Sequence, residues 1–361
     1  SALVGTNGFR IEGIDVDDRS GWAVSDAGDV NGDGFDDILV GASLADPVTG
    51  VDAGETYVVF GGASGLPGGS SSLDAAMLNG TNGFVLRGSS AGDHSGWSVS
   101  TAGDFNGDGF SDILIAADLA SPGGETWAGA TYLVFGGANM NSGSAILDLS
   151  ALNGTDGFLM EGIALGDFSG TSVSTAGDVN GDGYDDILVG AIGADVGTNN
   201  NVGETYVVFG SATPNPFGAI LDLSTLTTAT GIILEGGNQD DMSGRSVSTA
   251  GDFNGDGYSD IVVGACDASP GGQLAAGETY VVFGASSFPL RLDLSTLNGS
   301  NGFSLLGIDP IDCSGESVST AGDINGDGFD DIVLGAEGGD AGGQDSGETY
   351  VVFGSASGLA G

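Results

Sequence analysis

Apolar positions in this chain fall in short runs, and the polar positions between them are crowded with glycine, serine, asparagine and aspartate. Runs such as DILVGA from Asp37 and TYVVFG from Thr56 are too short for an ordinary helix and rich in the β-branched and aromatic residues that strands favour. Four such segments recur in a fixed order. Segment A, of the form SGWSVSTAGD, alternates small and apolar residues, as suits a strand lining a crowded axis. Segment B is the DILVGA-type run and segment C is TYVVFG, with TYLVFG from Thr131. Segment D reads GFRIEG from Gly8, GFVLRG from Gly83, GFLMEG from Gly157, GIILEG from Gly231 and GFSLLG from Gly302. Between A and B lies an acidic turn whose first Asp stands at 29, 104, 178, 252 and 323, spacings of 75, 74, 74 and 71 residues. These are internal repeats of one structural unit.

Four short strands per repeat predict an all-β chain built as a β-propeller, a single domain over 1–361. The chain opens on a lone D segment and closes on a C segment. Pairing of that first strand with the last C strand would complete the fifth blade and close a ring of five four-stranded blades. The alternative is a seven-bladed propeller with two blades supplied by missing sequence. The C–D connections LDLSALNG, LDLSTLTT and LDLSTLNG are read as loops.

Composition narrows the functional classes. The 361 residues include 71 glycines and eight prolines, in keeping with many tight turns. Fifty acidic residues against five basic ones give a formal net charge of −45; the five are all arginines, and lysine is absent. Such a surface repels phosphate backbones and anionic lipid, so nucleic acid and membrane surfaces are excluded as partners and cations are favoured. No apolar run is long enough to insert in a membrane, and with neither an initiator Met nor a leader the chain reads as a processed or excised piece.

The acidic turns carry the clearest chemistry. Side-chain oxygens stand at positions 1, 3, 5 and 9 of each turn, and position 7 adds a backbone carbonyl. The candidate metal ligands are Asp29, Asn31, Asp33, Phe35 and Asp37 in turn 29–37, and Asp104, Asn106, Asp108, Phe110 and Asp112 in 104–112. They continue with Asp178, Asn180, Asp182, Tyr184 and Asp186 in 178–186, and Asp252, Asn254, Asp256, Tyr258 and Asp260 in 252–260. The last turn, 323–331, offers Asp323, Asn325, Asp327, Phe329 and Asp331. Alternating oxygens in a glycine-bent loop suit a hard cation, Ca²⁺ above Mg²⁺, about one per repeat or five in all. An EF-hand shares the DxNxDG core but needs a carboxylate at position 12, where this chain has Val40, Ile115, Val189, Val263 and Leu334.

The succession SGxSVS, DxNGDGxxD and DILVGA resembles the FG-GAP repeat of integrin α-subunit propellers and of secreted bacterial proteins, along essentially the whole chain. TYVVFG and LDLSxLNGxxGF look like the bacterial version. The resemblance implies a propeller with Ca²⁺ in the A–B turns and a role in cell-surface recognition. Two departures stand out: the family is thought of as seven-bladed while this chain shows five long repeats, and serine (Ser20, Ser95, Ser169, Ser243, Ser314) replaces the aromatic of the FG pair.

The function expected is therefore an extracellular or cell-surface, calcium-stabilised module that adheres to a protein or glycan ligand. The alternative is a structural surface-layer, matrix or filament component that self-assembles. An enzyme is not expected: the single histidine, His94, stands where other repeats have Arg19, Phe168, Met242 and Cys313, and reads as a surface-loop residue. The D–A and B–C loops vary between repeats while the acidic turns barely do, which places the ligand face opposite the calcium turns. Trp22, Trp97 and Arg245 are the candidate contacts there, Trp22 and Trp97 serving alternatively to plug a central channel. Cys266 and Cys313 fall at that same end of neighbouring repeats, open to a disulfide or to two separate thiols.

Overall fold

A computed structural model describes residues 8–63, 71–138, 140–212, 215–343 and 346–356. It is all-β with a few 3-10 turns. The strands are β1 (Arg10–Glu12), β2 (Ala23–Gly28), β3 (Asp37–Ala42), β4 (Glu55–Val59), β5 (Ser72–Asp74), β6 (Gly83–Arg87), β7 (Val99–Gly103) and β8 (Asp112–Ala117). They continue with β9 (Ala130–Val134), β10 (Ile146–Asp148), β11 (Gly157–Glu161), β12 (Ser169–Gly177), β13 (Asp186–Ala191), β14 (Glu204–Val208), β15 (Ile220–Asp222) and β16 (Gly231–Glu235). The last are β17 (Ser246–Gly251), β18 (Asp260–Ala265), β19 (Glu278–Val282), β20 (Arg291–Asp293), β21 (Gly302–Leu306), β22 (Ser314–Gly322), β23 (Asp331–Ala336) and β24 (Glu348–Val352).

Two compact units are formed, one from residues 1–161 with 211–221 and one from 162–210 with 222–361. The first contains the sheets β10-β6-β4-β3-β2 and β15-β11-β9-β8-β7; the second contains β12-β13-β14-β16-β20, β17-β18-β19-β21 and β22-β23-β24. Segments A, B, C and D are thus four consecutive antiparallel strands of a blade-type sheet, as their patterning predicts. B and C strands such as β8 and β9 are buried at every residue, which accounts for their unbroken apolar runs. Neighbouring sheets approach very closely along these strands. At Gly41 an added Cβ would lie 2.1 Å from the carbonyl oxygen of Gly96, so the glycine after the ILV run is a packing requirement.

Three of the sheets have a fifth strand that the reading as loops did not foresee. The segment before LS in LDLS forms a three-residue strand that pairs in parallel with the D strand of the preceding repeat, β10 with β6 and β20 with β16. The Asp of the motif then caps a 3-10 turn: Asp222 accepts from Ser224 N at 2.9 Å and Asp293 from Ser295 N at 2.9 Å. The following leucine, Leu149, Leu223 or Leu294, is buried.

The first D strand has the same kind of partner: β1 pairs in parallel with β5, Arg10 opposite Ser72 and Glu12 opposite Asp74. This is the partner that β6 and β16 take on one edge while their other edge pairs with strand C, so it occupies the outer edge of β1 only. Among the described residues the last sheet has three strands and the outer edge of β24 carries no partner. One face of this sheet is also uncovered among the described residues: Val351 is 45% exposed, while the equivalent Val58, Leu133, Val207 and Val281 are 0% exposed.

Candidate functional site

The five acidic turns adopt one geometry. In the first, Asp29 Oδ1 accepts from Gly32 N at 2.7 Å and Asp33 N at 3.1 Å, and its Oδ2 accepts from Gly34 N at 2.9 Å. Asn31 Oδ1 accepts from Asp33 N at 2.8 Å and Asp33 Oδ1 from Phe35 N at 3.0 Å. The chain can wrap in this way because Gly32 and Gly34 take φ of 74° and 87°, which side-chain-bearing residues rarely adopt. Asp104, Asp178, Asp252 and Asp323 repeat the position-1 contacts, and Asn106, Asn180, Asn254 and Asn325 the position-3 contact.

Position 9 is different in kind. Asp37, Asp112, Asp186, Asp260 and Asp331 are buried, and each fastens its turn to the end of strand C. The Oδ1 atoms of the five accept from Gly61, Gly136, Gly210, Gly284 and Gly354 N at 2.8 to 2.9 Å. Oδ2 of Asp37, Asp186 and Asp331 turns back to the backbone N–H one residue after position 1. Burial pushes the carboxyl of Asp37 up to about 6, of Asp260 to about 7 and of Asp112 and Asp186 to about 8, and the carboxylates at positions 1 and 5 add to the rise.

The donor set fits a hard cation in its chemistry: two carboxylates and an amide at the rim, a buried carboxylate beneath, and no competing basic side chain in the turn. In the second repeat Asp112 Oδ2 is buried without a hydrogen-bond partner, an acceptor suited to a cation. The three carboxylates of a turn do not gather tightly. Among the described residues only Cys266, Cys313 and Glu316 bring one ligand atom each within 4.8 Å of one another, and those two cysteines are joined in a disulfide with Cα atoms 4.4 Å apart.

At the other end of strand A, in the first unit, the rings of Trp22 and Trp97 lie 4.8 Å apart with planes tilted by 41°, and the Arg19 guanidinium sits 5.4 Å from the Trp22 ring. Trp22 remains 46% exposed. In the second unit Arg245 is held in a bidentate ion pair by Glu316, Nη2 to Oε1 at 2.9 Å and Nε to Oε2 at 3.1 Å. Its charge is thus already matched by a neighbouring repeat.

Two features of the DxSG turns before strand A went unread. The Asp of that motif (Asp18, Asp93, Asp167, Asp241, Asp312) closes the turn on the backbone three residues earlier, as Asp167 Oδ2 does on Ala164 N at 2.9 Å and Asp241 Oδ2 on Asn238 N at 2.8 Å. The residue after it is left-handed in all five repeats: Arg19, His94, Phe168, Met242 and Cys313 have φ between 52° and 59°. Its side chain varies because backbone conformation, not side-chain packing, is what the position requires. His94 is half-buried there, and burial lowers its pKa. The recurring Asp was visible in the sequence, yet its partners are backbone groups, which leave no residue-type signature.

Sequence comparison agrees with these repeats. The FG-GAP repeat model matches at residues 21–59, 95–134, 169–208, 243–282 and 314–352, each match running from the start of strand A to the end of strand C. Similar curated proteins include integrin alpha pat-2 of Caenorhabditis elegans, 31% identical over 262 residues, and integrin alpha-5 of Xenopus laevis, 30% identical over 191 residues. These alignments cover 69% and 52% of this chain and 18% and 16% of the integrin chains. Bovine phosphatidylinositol-glycan-specific phospholipase D is 31% identical over 174 residues, 48% of this chain and 18% of that protein. The matched stretch is thus under a fifth of the length of these relatives.

Proposed function

This chain belongs to the FG-GAP repeat family, and from that premise we propose that it is an extracellular or cell-surface calcium-binding module that recognises a protein or glycan ligand. The observation that carries the reading is the acidic turn itself, in which the position-1 Oδ1 accepts from the position-5 N–H in all five repeats. Asp, Asn and Asp at positions 1, 3 and 5, the position-7 carbonyl and the buried Asp at position 9 would hold one Ca²⁺ per turn. When bound, the ion supplies charge neutralisation in a loop that otherwise concentrates carboxylates. The half-exposed Trp22 with Trp97, and the Arg245–Glu316 pair, are the proposed ligand contacts, at the end of strand A away from the turns. No catalytic role is included: the carboxylates that recur at positions 1 and 9 of the turns accept from their own backbone, and most of the phospholipase D chain lies outside the match.

Calcium removal tests the first half of this. At free Ca²⁺ of ten times Kd each loaded turn adds about 1.4 kcal/mol, so thermal melts in excess chelator should fall well below those in millimolar Ca²⁺, and titration should count about five ions. Coincident melts would refute the metal reading. A glycan and matrix-protein array, probed in Ca²⁺ and again in chelator, tests the second half. A double Trp22→Ala, Trp97→Ala chain should lose capture while keeping its calcium-dependent melt.

One observation favours the structural alternative, in which copies associate: the outer edge of β24 carries no partner among the described residues, and Val351 and Phe353 lie exposed on and after that strand. Light scattering that rises with protein concentration in Ca²⁺, and disappears when Val351→Lys charges the edge, would establish it.

A further inference from the structure

The second repeat departs from the others at two places that border one cavity. Strand C begins with Glu55, Glu204, Glu278 and Glu348 in four repeats and with Ala130 in the second. In two of those four repeats the tyrosine two residues on donates to it: Tyr206 to Glu204 at 2.8 Å, and Tyr350 to Glu348. Without it, the Tyr132 hydroxyl lies 2.7 Å from Ser89 Oγ, and Ala130 and Tyr132 both line a cavity of about 670 Å³, within the size range of small-molecule sites.

The second departure is Trp127, which lines the same cavity. Four B–C turns share one left-handed position whose N–H bonds a side-chain oxygen six residues earlier: Asp52 (φ 52°), Trp127 (54°), Asn201 (49°) and Ala275 (47°). Asp and Asn tolerate that conformation. A tryptophan there costs on the order of 1–3 kcal/mol, and such strain persists where it serves a site. Trp127 as a residue is 50% exposed.

The rest of the lining defines the guest. Asp93 and Glu161 face Tyr132 closely enough that, after burial, both help raise its phenol to about 12. Leu149, Leu152, Leu159 and Ile220 form an apolar wall, and among the described residues no basic or amide side chain contributes. Two carboxylates and no donor cation exclude an anionic ligand. The apolar wall of four aliphatic side chains disfavours a sugar, whose hydroxyls it cannot pair. We propose that this cavity binds an organic ammonium ion with an apolar body, the cation between the Trp127 face and the Asp93 and Glu161 carboxylates and the hydrocarbon against the leucines and Ile220. The net charge of −45 concentrates such cations at the surface. This stands apart from the calcium and Trp22–Trp97 readings.

The test is calorimetric titration of the full chain, in millimolar calcium, with hexylammonium chloride, with 1-hexanol as the uncharged isostere and with methyl glucoside. Hexylammonium should bind with a Kd of about 1 mM or tighter, and the other two should not. Trp127→Asn installs the residue that Asn201 provides at the equivalent turn, so it should raise the melting temperature while weakening hexylammonium at least about tenfold. Glu161→Gln, which keeps the shape, should weaken it similarly. Equal binding of hexanol would reduce the site to an apolar slot, and binding of the glucoside in place of the amine would make it a saccharide site. Either result overturns the proposal, as does absence of hexylammonium binding or full binding by Trp127→Asn.

Discussion

At the scale of single residues, the acidic turn divides into rim and anchor. Asp104 lies at the rim and Asp112 is buried, with Oδ1 on Gly136 N. Asp104→Asn should therefore shrink the calcium-induced rise in melting temperature and leave the chelated melt nearly unchanged. Asp112→Ala strips the partner of a buried N–H and should lower the melt in chelator as well, by about 2–4 kcal/mol. A second buried carboxylate, Asp118 in the B–C turn after β8, has Oδ1 without a partner, and burial pushes it up to about 7. Because its folded pKa exceeds the unfolded value, it costs nothing in strong acid. The cost appears as pH rises past about 4 and levels off only above the folded value. Asp118→Asn removes the charge, so it should raise the melting temperature most at pH 8 and progressively less as pH falls toward 4. The spacing of the acidic turn was legible because it recurs five times with one composition. The anchoring role of its ninth residue was not, since it depends on a glycine N–H at the end of another strand.

Among elements, strands B and C were legible from their unbroken apolar runs, and strand A from its alternation. The short LDL strand escaped because three residues show no periodicity and its partner lies in the preceding repeat. Leu294 follows such a strand and is buried, so Leu294→Ala should cost about 3 kcal/mol in thermal or denaturant unfolding. The neighbouring Thr296→Ala, on the exposed side, should cost far less. The β1–β5 pairing escaped for the same reason, since β5 too is a three-residue segment in the connection after strand C. The cysteines were placed correctly at one end of adjacent repeats, and the bridge between Cys266 and Cys313 closes a loop with sequence separation 47. Loop-closure entropy makes that bridge worth about 4 kcal/mol. A Cys266→Ser, Cys313→Ser chain should melt correspondingly lower under oxidising conditions and match the parent under reduction.

For the molecule as a whole, charge sets the conditions under which the fold is comfortable. With −45 formal charges, self-repulsion acts on the metal-free chain at low ionic strength. Raising NaCl from about 0.05 to about 1 M shortens the screening length from roughly 14 Å to 3 Å. The chelated protein should then gain melting temperature, and the calcium-loaded protein should gain less. A salt-insensitive chelated melt would count against repulsion as the cause. The sheets themselves are out of step with the sequence repeats: strands A to C come from one repeat and its D strand follows, but the outermost strand is lent by the connection that comes after the next C strand. A break placed at the repeat boundary therefore leaves one sheet without its rim. Adding or deleting one whole period, by contrast, leaves every internal sheet with a full complement of strands wherever in the period the join is made. The strand complement of an internal sheet is thus set by the order of segments and not by the number of repeats.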